Sequence, residues 1–420
     1  YIKNELEANY RAIESKLPAH EFHAAEGNKQ SFELEFANIE SRDAARDELT
    51  AAGIRFRTGK ALVPFRISGN VEWGVKVPEM EGVDDLTVWC WPESLWAPVS
   101  FSATALEARG EELSAVRDWW CSPDARVYQF IGQDNLYFYG VAQPALWMAL
   151  ESGNAEVAYP QPGDLQQTTL IANHHILFGK VKASSSGAVK PPSADQLLEH
   201  YTVDQLRAHW LGLGLDVKSV GFKPKPFEVD EAKRNDPRVA DPVLKEGALL
   251  TNVFNRLARS CFYEAQKNFE GFMPLGAPAA DVVARCHKAM AEYEAIMHKA
   301  ELHSVMTLMD DFIRWAQKHW ADGIKAAEGA DDADMRRQIL VDSFFTLRVA
   351  TLLMHPVAPD GCEKIVEHLG LPAERVFSWN APFEGMAELC DAADVEACRH
   401  AIVELPPRTD FFAKHESQFK

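Results

Sequence analysis

Part-way along the chain the hydrophobic period changes. Between residues 71 and 187, short apolar runs rich in β-branched and aromatic side chains, at 86–89, 127–131 and 170–178, alternate with helical stretches at 103–119 and 140–150. Strands alternating with helices predict βαβ units and a parallel sheet. Several runs are apolar on both faces, as buried parallel strands are. A Ser/Gly/Pro-rich break at 183–192 interrupts the pattern, since such composition does not extend a regular element. Ser193 and Gln196 then stand at capping-box spacing, so a helix is expected to start there. Beyond residue 243 the period is helical as far as 369. Cys286, Met290, Tyr293, Met297 and Ala300 fall on one predicted face, and Val305, Met306, Met309, Phe312, Ile313 and Ala316 on the next. Such stripes predict a helix bundle. The acidic stretch 328–334 links two of its helices. The expected fold class is therefore α/β followed by all-α.

A chain of 420 residues exceeds one compact core, so two or three domains are expected. No run approaches the ~20 apolar residues of a membrane-spanning helix, and the first thirty residues mix charges throughout, unlike a secretory signal. The seven cysteines include no C-x-x-C pair, which argues against a zinc knuckle or a disulfide framework and fits a reducing cytosol. A net charge of −19 does not by itself favour nucleic acid, but phosphate binding needs only a local basic face. Lys218, Lys223, Lys225, Lys233, Arg234 and Arg238 offer one candidate.

Chemistry concentrates at three places. The loop Lys182-Ala183-Ser184-Ser185-Ser186-Gly187 combines a lysine, hydroxyls and small residues whose backbone N–H groups can wrap a polyphosphate. Upstream, Phe130-Ile131-Gly132-Gln133-Asp134 is an apolar strand opening into Gly-x-Asp; glycine admits a ligand to the backbone, and the carboxylate can accept from ribose hydroxyls. Between them, Asn173-His174-His175 follows a strand, although adjacent residues on a strand point to opposite faces, so the two histidines are not expected to share a metal. In the helical half, Asn255 and Arg259 stand at i, i+4 on one helix face, where an amide and a guanidinium together can read base edges. Trp320 offers a stacking plane for an unstacked base.

In the order Trp73-Gly74-Val75-Lys76-Val77-Pro78, Val88-Trp89, Gly132-x-Asp134, Lys182 to Gly187 and Asp204-x-x-Arg207, the chain resembles class I aminoacyl-tRNA synthetases of the methionyl family. The likeness runs collinearly over residues 65–370, and the lysine loop is similar to the family's KMSKS signature. The resemblance implies the second half of a Rossmann-like parallel-sheet catalytic domain and a helix-bundle anticodon-binding domain. The expected divisions are a remnant of a connective insert at 1–70, the half-fold at 71–190, a stem-contact and linker region at 191–245, the anticodon bundle at 246–372 and a tail at 373–420. It also implies a cytoplasmic ligase that uses ATP with Mg2+, methionine and tRNA, with no structural zinc and no membrane partner.

Residue by residue, the resemblance assigns the ATP phosphates to Lys182, Ser184, Ser185 and Ser186. The ribose falls to Gly132 and Asp134, and the adenine to Asn173 and Ile176. Trp89, Trp96 and Tyr139 would line the amino-acid pocket, while Asn255, Arg259 and Trp320 would read the anticodon. The sequence departs from the family in three ways. The HIGH motif is not in this chain and would lie before Tyr1. Ala183 and Ser185 replace the usual Met and second Lys of the signature, with Lys180 or Lys190 as substitutes for the charge. Trp91 to Trp96, Asn135, Tyr139 and Ala142 alter the amino-acid pocket. These departures keep open a ligase for another amino acid, a non-catalytic tRNA-binding paralogue, or one part of a split enzyme.

Overall fold

The computed structural model describes residues 1–58, 65–69, 71–79, 85–151, 157–178, 181–183, 190–379, 383, 385–390 and 398–419, without the side chains of residues 181 and 182. The chain forms two compact units, Tyr1–Phe101 and Ser102–Lys420.

The first unit is built on a small antiparallel sheet. β1 (Ile2–Lys3) and β2 (His20–His23) flank β3 (Ser31–Phe36), with Ile2 opposite Phe32 and Phe22 opposite Leu34. Helix α1 (Ile39–Ala51) is capped by the Asn38 side chain, which accepts from Ser41 N at 2.8 Å. Its Leu49 joins Ile2, Tyr10, Phe32 and Ile54 in the core, where Tyr10 stacks on Phe22 at 5.7 Å. β4 (Ser68–Gly69) and β5 (Thr87–Val88) pair antiparallel, and α2 (Cys90–Ala108) follows.

The second unit carries both halves of the expected architecture. β6 (Tyr128–Gly132) runs parallel to β7 (Thr169–Asn173), connected through α3 (Gln143–Glu151). The apolar run expected at 170–178 is two strands, because the chain breaks at His174-His175 before β8 (Ile176–Phe178). β8 forms a hairpin with β9 (Val181–Lys182). The helix expected at 103–119 is likewise divided: α2 ends at Ala108, Gly110 takes a left-handed φ of 70°, and a short helix resumes at Val116.

Past the break, α4 (Ala194–Leu198) and α5 (Val203–Gly212) each begin with a reciprocal capping box, Ser193 with Gln196 and Thr202 with Gln205. Leu197, Tyr201, Leu206, Phe222 and Val243 form the core beneath them, and β10 (Val220–Gly221) extends the β8 sheet in parallel. α6 (Pro242–Ala248) leads through a π-helical turn, Leu249–Phe254, into α7 (Asn255–Asn268). After β11 (Phe272–Pro274) come α8 (Ala280–Lys299), α9 (His303–Ala330), α10 (Ala333–Met354) and α11 (Pro359–Leu369). Of the two expected stripes, Cys286, Tyr293, Val305, Met309, Phe312, Ile313 and Ala316 are buried together, whereas Met297 is 43% exposed near the end of α8. The acidic link is tighter than the 328–334 expected. Asp331 turns the chain left-handed, and Asp332 caps α10 by accepting from Met335 N. β12 (Arg399–Ala401) pairs antiparallel with β11.

Candidate functional site

The nucleotide-site candidates gather around the β6–β7 ladder. Its register sets Gly132 directly opposite Asn173, at the carboxyl ends of two parallel strands, where α/β sheets bind ligands. Gln129 fixes β6 from the side: its Nε2 donates to Gln143 Oε1 and to Thr168 Oγ1, both at 2.8 Å. A Cβ at Gly132 would lie 2.8 Å from Asp134 Oδ1, so a side chain there would push the exposed carboxylate aside. The carboxylate thus occupies the space that a side chain at 132 would fill.

Ile176 sits at the root of the lysine loop. Ala183 N donates to Ile176 O at 2.9 Å, and Lys182 pairs with Leu177 in the β8–β9 hairpin. The loop residues Ser184, Ser185 and Ser186 and the Lys182 side chain lie outside the described residues. His174 and His175 are held through their backbones, His174 N donating to Leu215 O and His175 O accepting from Val220 N. Among the described residues, the one cluster with metal-ligand spacing is Glu21, His23 and Glu35, exposed on the first unit.

The amino-acid pocket candidates are divided between the units. In the first, Trp89 is half-buried under the Arg66 guanidinium, 4.7 Å from its ring centroid, and its indole Nε1 has no hydrogen-bond partner among the described residues. Trp96 lies half-buried on α2. In the second, Tyr139 stands on a π-helical turn, Phe138–Ala142, an irregularity frequent at functional sites. With Gly140, Gln143, Pro144, Trp147 and Tyr159 it lines a cavity of about 280 Å3. Trp120 meets Trp147 edge-on at 5.9 Å behind it.

Asp204 and Arg207 prove to be a clamp on the bundle. Arg207 donates through Nε to Val357 O at 2.8 Å and through Nη2 to Pro356 O at 2.7 Å. Asp204, 6% exposed, accepts from Gly361 N at 3.3 Å, and its other oxygen is buried with no partner among the described residues. Burial, reinforced by the nearby Asp360 charge, raises the Asp204 carboxyl to about 6.

Of the expected base-reading pair, Arg259 keeps 31% of its side chain exposed, but Asn255 does not reach solvent. Asn255 is fully buried, and its amide is occupied: Nδ2 donates to Thr251 O at 3.0 Å and Phe412 O at 2.9 Å, while Oδ1 accepts from Phe412 N at 3.0 Å. Arg259 is paired with Asp410 at 2.8 Å. Trp320 is packed into the bundle core, 6% exposed. The candidate phosphate face is also largely self-neutralised. Lys233 pairs with Asp230, Arg234 with Glu231 and Arg238 with Asp236, while Lys225 donates to the backbone oxygens of Asp236 and Val239.

The sequence profile described as tRNA synthetases class I (M) matches residues 8–228, a segment that includes both site strands and the lysine loop. The chain belongs to this family. Its relatives include the methionine–tRNA ligases of Methanoculleus marisnigri, 23% identical over 304 residues (72% of this chain, 41% of the relative), and of Korarchaeum cryptofilum, 23% identical over 318 residues (75% and 52%). That of Chloroflexus aggregans is 31% identical over 203 residues, 46% of this chain and 33% of the relative. The chain therefore spans about half or less of the length of these relatives. A crystal structure of Mycobacterium tuberculosis methionyl-tRNA synthetase bound by methionyl-adenylate shares the fold, with a TM-score of 0.56 and 22% identity over 98% of this chain and 66% of that one.

Within this class I (M) chain, spacing alone missed a second pair. Asn252 and Arg256 repeat the Asn-x-x-x-Arg pattern three residues earlier, and both are exposed. The signal was present in Asn252-Val253-Phe254-Asn255-Arg256-Leu257-Ala258-Arg259, where the motif occurs twice. Only burial separates the copy that faces solvent from the copy that faces the C-terminal segment.

Proposed function

We propose that the protein is a methionine–tRNA ligase, activating methionine with ATP and transferring it to tRNA. The reading rests on the β6–β7 register, which sets Gly132 beside Asn173 with the lysine loop rooted at Ile176, inside the segment that the class I (M) profile matches. The methionine carboxylate attacks the α-phosphate of ATP, forming a P–O bond and expelling pyrophosphate. A terminal ribose hydroxyl of tRNA then attacks the acyl carbon, forming the ester and releasing AMP.

No protein nucleophile is needed, so rate comes from placement and from charge stabilisation. Gly132 admits the ribose to the backbone and Asp134 accepts from its hydroxyls. Asn173 and Ile176 flank the adenine. Lys182 with Ser184, Ser185 and Ser186 holds the phosphates as pyrophosphate departs. Magnesium would arrive with ATP, held chiefly by phosphates and water. Tyr139 shapes the cavity of the second unit for the thioether, whose sulfur packs well against aromatic rings, and Trp89 and Trp96 are the aromatic candidates that the first unit offers for the same substrate. Base reading falls to Asn252 and Arg256, the exposed Asn-x-x-x-Arg pair, with Asn255 and Arg259 supporting them from beneath.

Methionine-dependent exchange of pyrophosphate into ATP by the natural full-length polypeptide tests the catalytic reading. Exchange supported by another amino acid would move the substrate assignment and leave the class intact. An anticodon stem-loop hairpin with the methionine anticodon tests the RNA reading on the 420-residue chain. Hairpin binding unchanged by Asn252→Ala and Arg256→Ala would remove these two from it.

A further inference from the structure

The stretch of residues 404–419 joins two parts of the second unit that lie far apart in sequence. At one end it runs along α7. Gln266 and Leu405 exchange two hydrogen bonds, at 3.2 and 3.3 Å, and Tyr263 Oη donates to Pro406 O at 2.9 Å. Asp410 pairs with Arg259, and Phe412 exchanges two bonds with Asn255. Phe411 and Phe412 are each 1% exposed, Phe412 stacking on Phe254 at 4.9 Å. Its ring fills the space above Gly361, where a Cβ would meet Phe412 Cδ1 at 2.2 Å.

At the other end the stretch reaches α4 and α5. Ser417 Oγ and Gln418 Nε2 donate to His200 O at 3.2 and 3.0 Å. The amides of Gln418 and Gln205 lie 2.9 and 3.1 Å apart across their two donor–acceptor pairs. Gln205 is also the partner in the Thr202 capping box that starts α5. Through these contacts one segment touches both the helix bearing Asn252 and Arg256 and the helices that follow the lysine loop.

We propose that residues 404–419 are a strap that makes the order of α4 and α5 depend on RNA bound at α7. The proposal rests on the RNA reading above. Arg259 and Asp410 form the release point, because their side chains remain 31% and 36% exposed beside the buried Phe411 and Phe412. An RNA phosphate arriving beside Arg256 competes for the Arg259 guanidinium and repels the Asp410 carboxylate. With that pair broken, the strap loosens along its length and the hydrogen bonds to His200 and Gln205 weaken. Gln418, Gln205 and Asp410 act as positioning residues, and docked and loosened straps are the two states that RNA biases.

Hydrogen exchange on the 420-residue chain, with and without the anticodon hairpin, tests the strap. The hairpin should speed exchange in α4 and α5 of the wild type about fivefold, the size expected when such hydrogen bonds are lost. Gln418→Ala should bind the hairpin up to about fivefold more tightly than wild type, since the strap no longer opposes binding, exchange fast in α4 and α5 without RNA, and show no further response. Asp410→Asn should do the same from the opposite end, and Asp410→Glu should restore the response. Hairpin binding without any change in α4 and α5, or a full response in both Gln418→Ala and Asp410→Asn, would overturn the strap while sparing the RNA reading. Failure of the wild type to bind the hairpin would overturn both.

Discussion

The β6–β7 ladder and the bundle from α7 to α11 secure their residues by different means. In the ladder, Tyr128 and Phe130 are 55% and 60% exposed, and position is set by backbone register and by the two side-chain bonds of Gln129. In the bundle, Phe254, Phe262, Phe312 and Phe344 are fully buried, and even Asn255 has no exposed surface. Apolar burial therefore dominates the stability of the bundle, at roughly 1.5–3 kcal/mol for each large side chain. The ladder contributes geometry: it brings Gly132, Asp134 and Asn173 to one end of two strands. A polar residue in the bundle is accordingly structural until its exposure is known, whereas one at the ladder end is held in place without being buried.

Substitutions can break this contrast directly. Phe344→Ala should cost about 3–5 kcal/mol, because its ring meets Phe262 edge-on at 5.8 Å in the core. Phe130→Ala should cost under about 1 kcal/mol. Urea unfolding followed by far-ultraviolet circular dichroism measures both, and equal costs would abolish the contrast.

Asp204 sharpens it through pH. Its carboxyl is raised to about 6 in the folded protein, against roughly 3.9 unfolded. The folded state therefore holds the proton more tightly, so its stabilising effect is complete below about pH 4 and is lost as pH rises through 6. The change is at most about 3 kcal/mol. Asp204→Asn should flatten that part of the pH–stability curve, as read from urea midpoints between pH 4 and 8.

The two Asn-x-x-x-Arg copies should respond in opposite ways. Asn255→Ala leaves the Phe412 backbone unsatisfied and should cost about 1–3 kcal/mol, while Asn252→Ala should stay within about 0.5 kcal/mol. In hairpin binding, Arg256→Ala should weaken affinity about tenfold. The smallest effect on stability belongs to Gly132→Ala. It should leave the urea midpoint nearly unchanged but weaken ATP binding about tenfold by displacing the Asp134 carboxylate, as measured by calorimetry on the full-length polypeptide.

Local signals carried much of this architecture. The capping boxes at Ser193 and Thr202, the strand before Gly132 and most of the apolar stripes of α8 and α9 follow from residue type and spacing alone. The break at His174-His175 does not, because neither residue is a turn former and the bend is imposed by bonds to Leu215 and Val220. Gly110 carries the stop signal for α2, taking a left-handed φ of 70° just past its end. The early start of α2 at Cys90 was hidden by Pro92 and Pro98, which the helix accommodates. The choice between the two Asn-Arg pairs was illegible for a different reason. It depends on Asp410 and Phe412, some 150 positions away, and a periodicity cannot tell which face of a helix a distant segment will cover.

The most direct measurement is pyrophosphate exchange into ATP by the natural full-length polypeptide, assayed with each of the twenty amino acids. Methionine alone should support exchange, and Gly132→Ala should reduce it. Exchange driven by a different amino acid, or by none, would contradict a methionine–tRNA ligase.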